Sequence, residues 1–275
     1  MSVENVGQIS KSTGFETPSL AAAIARGGAH LLGVTLRRQL FSRQTLIALV
    51  LTGVCALIVV AWSLHREPTT RRLAQNVLVP SFIAFLMPIL AIGYGAAGIG
   101  GEREDRTLIY LLMTPIPRPV TYLVRFLAAE ILVVGTTAAS LWLLCFLAGA
   151  SGDAAWPLFW PASVMGAAAY AALFLLVGAV FRHGTIISLA YWFFLEVLFG
   201  NMPGIIKRVS VAFYVRSMVY EAGAELEVGP ASKVAREMFL AVSADTARIV
   251  LLSATAGLLA AGLLAFTRRE YRDVS

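Results

Sequence analysis

Five charged residues stand side by side between two apolar stretches of this sequence: Glu102, Arg103, Glu104, Asp105 and Arg106. Positions 73–101 carry no charged residue, so the cluster indicates that the chain leaves an apolar environment at this point. Carboxylates and guanidinium groups at this density suit contacts with a partner in the water, because charged contacts fix the register of a docked surface. These residues therefore indicate a surface that recognises a partner and not a catalytic site.

The same segment continues into a short amphipathic helix with a defined end. Leu108, Leu111 and Leu112 share one face at helical spacing. Prolines at positions 115, 117 and 119 then close the segment, because proline cannot continue a helix. Since it lies between two hydrophobic stretches, the segment over residues 101–118 is expected at a membrane surface.

ATP hydrolysis by this sequence is not indicated. A phosphate-binding loop places a lysine after a glycine-rich frame, where the lysine neutralises the β and γ phosphates. None of the three lysines, Lys11, Lys207 and Lys233, follows such a frame. We therefore expect no ATP or other cofactor on this chain.

A serine nucleophile is also considered. Residues 149–152 spell GxSG, the pattern around the nucleophilic serine of rhomboid intramembrane proteases. That serine needs a histidine base within reach, but His30, His65 and His183 all lie outside the apolar interior. Ser151 is expected in a loop beside Asp153, so a turn is favoured over a catalytic site, and an intramembrane serine protease is the least favoured function.

Two carboxylates are predicted inside apolar spans, Glu130 and Glu196. A buried ionisable group in lipid indicates either a pathway or a structural contact. Glu130 follows Arg125 near the span's end, which favours partial solvation or an ion pair. Glu196 lies deeper among aromatic residues, where it either faces a substrate path or hydrogen-bonds between helices.

The composition is that of an integral membrane protein. Of 275 residues, 58% are hydrophobic and 14% are charged, against about 25% charged in soluble domains. The net charge of +6 comes from basic residues at the edges of apolar runs, so membrane-edge arginine is favoured over nucleic-acid binding. Cys55 and Cys145 lie within apolar runs and indicate neither a disulfide nor a metal site.

The chain is divided into a tail, an interfacial helix and a membrane domain. Residues 1–19 are polar and without periodicity, and residues 20–43 form an amphipathic helix with interleaved arginines, either an anchor or a dock. Residues 44–275 contain six stretches long enough to span a membrane. They are 44–64, 77–100, 123–149, 158–181, 185–205 and 249–266.

The six spans predict an all-α polytopic membrane protein with both termini on one side. Lys and Arg are more numerous on that side, so both termini are expected in the cytosol. Residues 207–245 form an insertion before the last span, expected as two short amphipathic helices on the outer surface joined by a linker over 223–230. The insertion either gates a path or caps the bundle.

The order of these elements and the charged segment together resemble the type-2 ABC exporter permease family. The matching residues are Gly101, Glu102, Glu104, Thr107, Leu108, Leu111, Leu112, Pro115, Ile116 and Arg118. The length and plan are similar to those of the permease in the nitrous-oxide-reductase maturation exporter.

The resemblance implies a function for the charged segment. It implies a coupling helix that docks on a separately encoded cytosolic ATPase, which binds ATP and Mg. It also implies two permease subunits, as a homodimer, among the lipids of a prokaryotic inner membrane. The coupling residues would be Gly101, Glu102, Arg103, Glu104, Asp105, Arg106, Thr107, Leu108, Leu111 and Leu112.

Two functions remain open beside the protease. The first is a permease subunit of an exporter, without catalysis of its own. The second is a membrane scaffold that uses an ATPase for mechanical signalling. A cavity-facing Glu196 would favour transport, and a packed, dry surrounding would favour the scaffold.

Overall fold

The structure, a computed structural model, describes residues 20–65, 69–104, 117–202, 205–230, 239 and 241–268. These residues form helices and contain no strand, which confirms the all-α polytopic fold. The helices are α1 (Leu20–Leu40), α2 (Arg43–His65), α3 (Thr70–Gly101), α4 (Arg118–Leu147), α5 (Ala150–Val180), α6 (Gly184–Leu198), α7 (Val211–Ala222) and α8 (Ala244–Arg268). The tail over residues 1–19 lies outside the described ranges.

Among the described residues, five helices are long and apolar enough to cross a membrane: α2, α3, α4, α5 and α8. The fifth predicted span begins as expected but is shorter, because α6 ends at Leu198 and a 3₁₀ turn over Phe199–Asn201 follows. At about 1.5 Å per residue α6 covers roughly 22 Å, less than the roughly 30 Å of a bilayer core.

Helix α3 is longer than its apolar sequence predicts and contains wide turns. It begins at Thr70, ahead of the predicted start at residue 77, and its helical residues continue to Glu104. Pro80 lies within it, and π-helical turns cover Ala74–Leu86 and Ile92–Ala96. Because proline lacks an N–H, the turn around it is open to such adjustment.

Helices α3 and α5 form the centre of the bundle. In each, 67% of the most apolar window is buried, against 17% in α2 and in α8. Helix α5 packs against α3, α4, α7 and α8, and α1 packs against α4. Short links keep consecutive helices adjacent: residues 148–149 join α4 to α5, and residues 181–183 join α5 to α6.

Helix α7 lies within the predicted insertion. It is packed into the helix bundle and does not lie on the outer surface of the bundle. Phe213, Val215 and Val219 are buried, and the helix packs against α5 and α8. The expectation of a surface helix is wrong because this apolar face is large enough to enter the bundle. Most of the second predicted insertion helix lies outside the described residues.

Candidate functional site

The end of α3 that leads into the coupling segment contacts α5 through its backbone. A Cβ added to Gly178 would lie 2.4 Å from the carbonyl oxygen of Ala96, and one added to Gly100 would lie 3.4 Å from the Cα of Gly178. Residues without a side chain let two helices approach this closely. This end of α3 is therefore in close backbone contact with α5.

The predicted coupling residues are only partly described. Gly101 is half-buried, and the backbone of Glu102, Arg103 and Glu104 continues the helix. The remaining coupling residues, Asp105, Arg106, Thr107, Leu108, Leu111 and Leu112, lie outside the described ranges. Their role stays a prediction.

A small polar cavity, here called the elbow pocket, lies where the α1–α2 elbow meets this end of α3. Its volume is about 160 Å³, and Arg125 on α4 forms one side with only 6% of its surface exposed. It is lined by Thr35, Arg38, Gln39, Ser42, Gln44, Ala97, Gly98, Gly101 and Arg125. The pocket therefore joins α1, α2, α3 and α4 at the base of the coupling segment.

An apolar depression, here called the apolar groove, continues from the elbow pocket. Its volume is about 220 Å³, and the two cavities share Gln44 and Ala97 in their walls. Besides these two residues it is lined by Ile47, Ala48, Leu51, Ile89, Leu90, Ile92, Gly93, Tyr94, Thr185 and Leu189. A polar site and an apolar site thus adjoin along α2 and α3.

The carboxylate of Glu196 lies at the N-terminus of α7. Its oxygens accept hydrogen bonds from the hydroxyl of Ser210 and from the backbone N–H groups of Val211 and Ala212, the latter two at 2.9 and 3.2 Å. Ser210 is also the N-cap of α7, since its Oγ accepts from the N–H of Phe213. A carboxylate is stabilised there by the unpaired N–H groups and by the helix dipole.

These contacts show which groups surround Glu196. Only 1% of its surface is exposed, and three hydrogen bonds join it to residues 210–212. Tyr170 and Tyr191 also lie beside this carboxylate. The hydrogen-bonding alternative of the sequence analysis matches this arrangement. A role of Glu196 in a substrate path stays a prediction.

Glu130 has a different environment. It is half-buried on α4, and its Oε2 makes no hydrogen bond within the part of the chain that the structure describes. Glu196 differs in this respect, because its carboxylate is hydrogen-bonded at the start of α7.

Ser151 lies in the first turn of α5, not in a loop as predicted. Gly149 has a φ of +61°, which turns the chain sharply, and α5 begins at Ala150. A Cβ added to Gly152 would lie 1.9 Å from the carbonyl oxygen of Cys145. The glycines of the GxSG pattern are thus explained by a tight helix–helix turn.

The family follows from comparison with known proteins. A family model described as "ABC-2 family transporter protein" matches residues 4–271. This chain belongs to the ABC-2 transporter family. No curated protein matches it. As an ABC-2 transporter protein it is an integral membrane protein and the permease component of an ABC transporter.

The ABC-2 permease has a further cavity, the α7 pocket, that the sequence analysis missed. Its volume is about 540 Å³, and its walls come from α7, the loop over 223–230 and the residues before α8. Arg71 forms an ion pair with Glu227, and the Gln75 amide donates to the carbonyl oxygens of Glu227 and Gly229. These contacts tie the loop to the start of α3.

Lys207 lies beside this region of the permease, in the 3₁₀ turn before α7. Its Nζ is 5.1 Å from the ring centre of Phe239 and 5.9 Å from that of Phe213. Burial, with a smaller contribution from Arg208, lowers the pKa of Lys207. Nothing in the spacing of these residues along the sequence indicated this cluster, because its members are brought together by the turn.

Proposed function

We propose that this chain is the membrane subunit of an ATP-driven exporter whose ATPase is a separate cytosolic subunit. The observation that carries the proposal is the glycine contact between the end of α3 and α5. It connects the predicted coupling segment with α5, one of the two most buried helices of the bundle. Force applied at residues 101–118 would reach the centre of the bundle without passing through flexible side chains.

The separate ATPase is supported by the sequence. None of the three lysines lies in a phosphate-binding frame, so ATP and Mg would be bound by the partner. The apolar residues Leu108, Leu111 and Leu112 would insert as anchors into a groove of that partner, and the surrounding charges would set the register.

A second permease subunit is part of the proposal. Helix α2 exposes a nearly continuous apolar surface, and α6 exposes Ile186, Phe193 and Phe194 beside it. A second copy of this chain would cover part of this surface, and lipid would cover the rest. Closure of two ATPases would then tilt α3 and α4 on either side of the coupling segment.

The proposal also includes the side of the membrane on which the termini lie and the direction of transport. The excess of arginine at the terminal side supports cytosolic termini in the inner membrane of a prokaryote, and the family resemblance supports export. The exported substrate would pass between the two copies.

A membrane scaffold is the second candidate, and one observation favours it. Glu196, the deepest carboxylate of the predicted spans, is 1% exposed and bonded to α7, so it offers no charge to a path in this conformation. A scaffold would use the same coupling segment but would move no substrate.

Purification of the tagged full chain in mild detergent tests the proposal. Recovery of a stoichiometric ATP-binding subunit supports it, and recovery of the chain without any ATP-binding subunit contradicts it. Reconstitution of that complex in vesicles separates the two candidates. ATP-dependent movement of a co-purified small molecule across the bilayer identifies an exporter, and ATP turnover without movement identifies the scaffold.

A further inference from the structure

The elbow pocket and the apolar groove together have the polarity of a phospholipid. The two cavities adjoin, since both have Gln44 and Ala97 in their walls. The elbow pocket presents polar side chains, whereas the groove is lined mostly by aliphatic residues and runs along α2 and α3. One amphiphile with a polar head and an apolar chain would fill both.

The charge of the elbow pocket indicates an anionic head. Arg38 and Arg125 lie in its wall, and the residues that line it include no carboxylate. Each guanidinium has five N–H donors in a planar fork, so it can bind a phosphate oxygen in addition to its neighbours in the protein. The pocket therefore fits a phosphodiester.

A buried amide in the elbow pocket adds a second requirement. Gln39 is 8% exposed, and its Oε1 has no hydrogen-bond partner in the described part of the chain. A buried acceptor without a partner is destabilising, so a bound donor would stabilise it. A headgroup hydroxyl beside the phosphate supplies such a donor.

The surface around the elbow pocket matches the level of lipid headgroups. Phe41, at the tip of the elbow, is 86% exposed, and the neighbouring Leu40 is 46% exposed. Arg37 and Arg43 are exposed on the same elbow. Exposed aromatic and aliphatic side chains beside arginines are typical of an element that lies in the membrane interface.

We propose that this permease binds an anionic glycerophospholipid of the phosphatidylglycerol type, with its headgroup in the elbow pocket and one acyl chain in the apolar groove. The phosphate contacts Arg38 and Arg125, and a headgroup hydroxyl donates to Gln39. Because the elbow pocket touches Gly98 and Gly101, the lipid lies against the base of the coupling segment.

Lipid-dependent thermal stability of the full chain in mild detergent tests the proposal. The probes are phosphatidylglycerol, phosphatidylcholine with the same acyl chains, and glycerol 3-phosphate. We expect phosphatidylglycerol to raise the melting temperature and the other two to have little effect. Equal stabilisation by phosphatidylcholine, or by glycerol 3-phosphate at the same concentration, overturns the proposal, since the former needs no anionic head and the latter needs no acyl chain.

Two pairs of variants locate the lipid. Arg38→Gln removes a charge from the pocket wall, and Arg37→Gln removes the neighbouring exposed charge that is not in the wall. Arg38→Gln is expected to raise the half-maximal phosphatidylglycerol concentration about fivefold, and Arg37→Gln less than twofold, because Arg38 lines the pocket and Arg37 does not.

The second pair tests the acyl chain. Gly93 lines the groove and has open space at its Cβ position, so Gly93→Leu fills the groove without a clash. Gly53 on α2 also has open space but lies outside the groove wall, which makes Gly53→Leu the control. Loss of the phosphatidylglycerol effect in Gly93→Leu alone supports the proposal. The proposal is overturned if phosphatidylglycerol raises the melting temperature equally in Arg38→Gln, in Gly93→Leu and in the wild-type chain.

Discussion

The Oε1 atom of Glu196 accepts a hydrogen bond from the backbone N–H of Val211 at 2.9 Å, which attaches the end of α6 to the start of α7. With Ser210 and Ala212 also bonded to this carboxylate, the first turn of α7 has partners for donors that would otherwise be unpaired. The short helix α6 and the inserted helix α7 are thereby held as one unit.

Replacing Glu196 with alanine should destabilise the protein strongly. The change leaves the Ser210 hydroxyl and two backbone N–H groups buried without an acceptor, and we expect a loss of about 3 kcal/mol of unfolding free energy. Glu196→Gln keeps one carbonyl acceptor and should lose about half as much. Thermal unfolding in detergent measures both.

The control for this series is Glu225→Ala, which removes an exposed acid from the loop after α7. It should change the melting temperature by less than about one degree, because an exposed charge contributes little. If Glu196→Ala melts at the same temperature as Glu225→Ala, the carboxylate does not hold α7.

Gly178→Ala should separate the coupling end of α3 from α5. The added methyl group would lie 2.4 Å from a backbone oxygen of Ala96, and a backbone atom cannot move aside without shifting its helix. We expect a loss of about 1–3 kcal/mol in stability, together with a lower ATP turnover in the assembled complex.

Gly135→Ala is the matched change on α4, where nothing lies within 4 Å of the added methyl group. It should be neutral or stabilise by up to about 1 kcal/mol, since alanine favours a helix more than glycine does. Similar melting temperatures for the two variants would show that the α3–α5 contact is loose.

The hydrogen bond between Thr52 on α2 and Ser140 on α4 should contribute little to stability. The two hydroxyl oxygens are buried and 2.9 Å apart. A double-mutant cycle with Thr52→Val and Ser140→Ala should give a coupling energy of about 0.6 kcal/mol, the usual size for such bonds between membrane helices. A coupling energy indistinguishable from zero would mean that α2 and α4 are not in this contact.

Much of the architecture could be predicted from the sequence. The long apolar runs predicted α2, α3, α4, α5 and α8, because a stretch of about twenty apolar residues is typical of a transmembrane helix. The family resemblance rested on the segment after α3, and the match over residues 4–271 confirms the family.

The interior contacts could not be predicted, because they depend on three-dimensional packing. The early end of α6 and the burial of α7 accompany the hydrogen bonds between Glu196 and residues 210–212, and the periodicity of neither helix alone indicates these bonds. The same holds for the elbow pocket, whose wall joins Arg38 with Arg125 across a wide sequence separation.

The coupling assignment is the central claim, and stimulated ATP turnover tests it most directly. The measurement compares the complex of permease and ATPase carrying Glu102→Ala with Arg106→Ala against a complex carrying Arg71→Ala with Glu227→Ala. Each pair removes one positive and one negative charge, but the second pair lies beside the α7 pocket. We expect the first pair to lower ATPase co-purification and stimulated turnover about tenfold, while the second leaves both unchanged. Unchanged co-purification and turnover in the first pair would contradict the account.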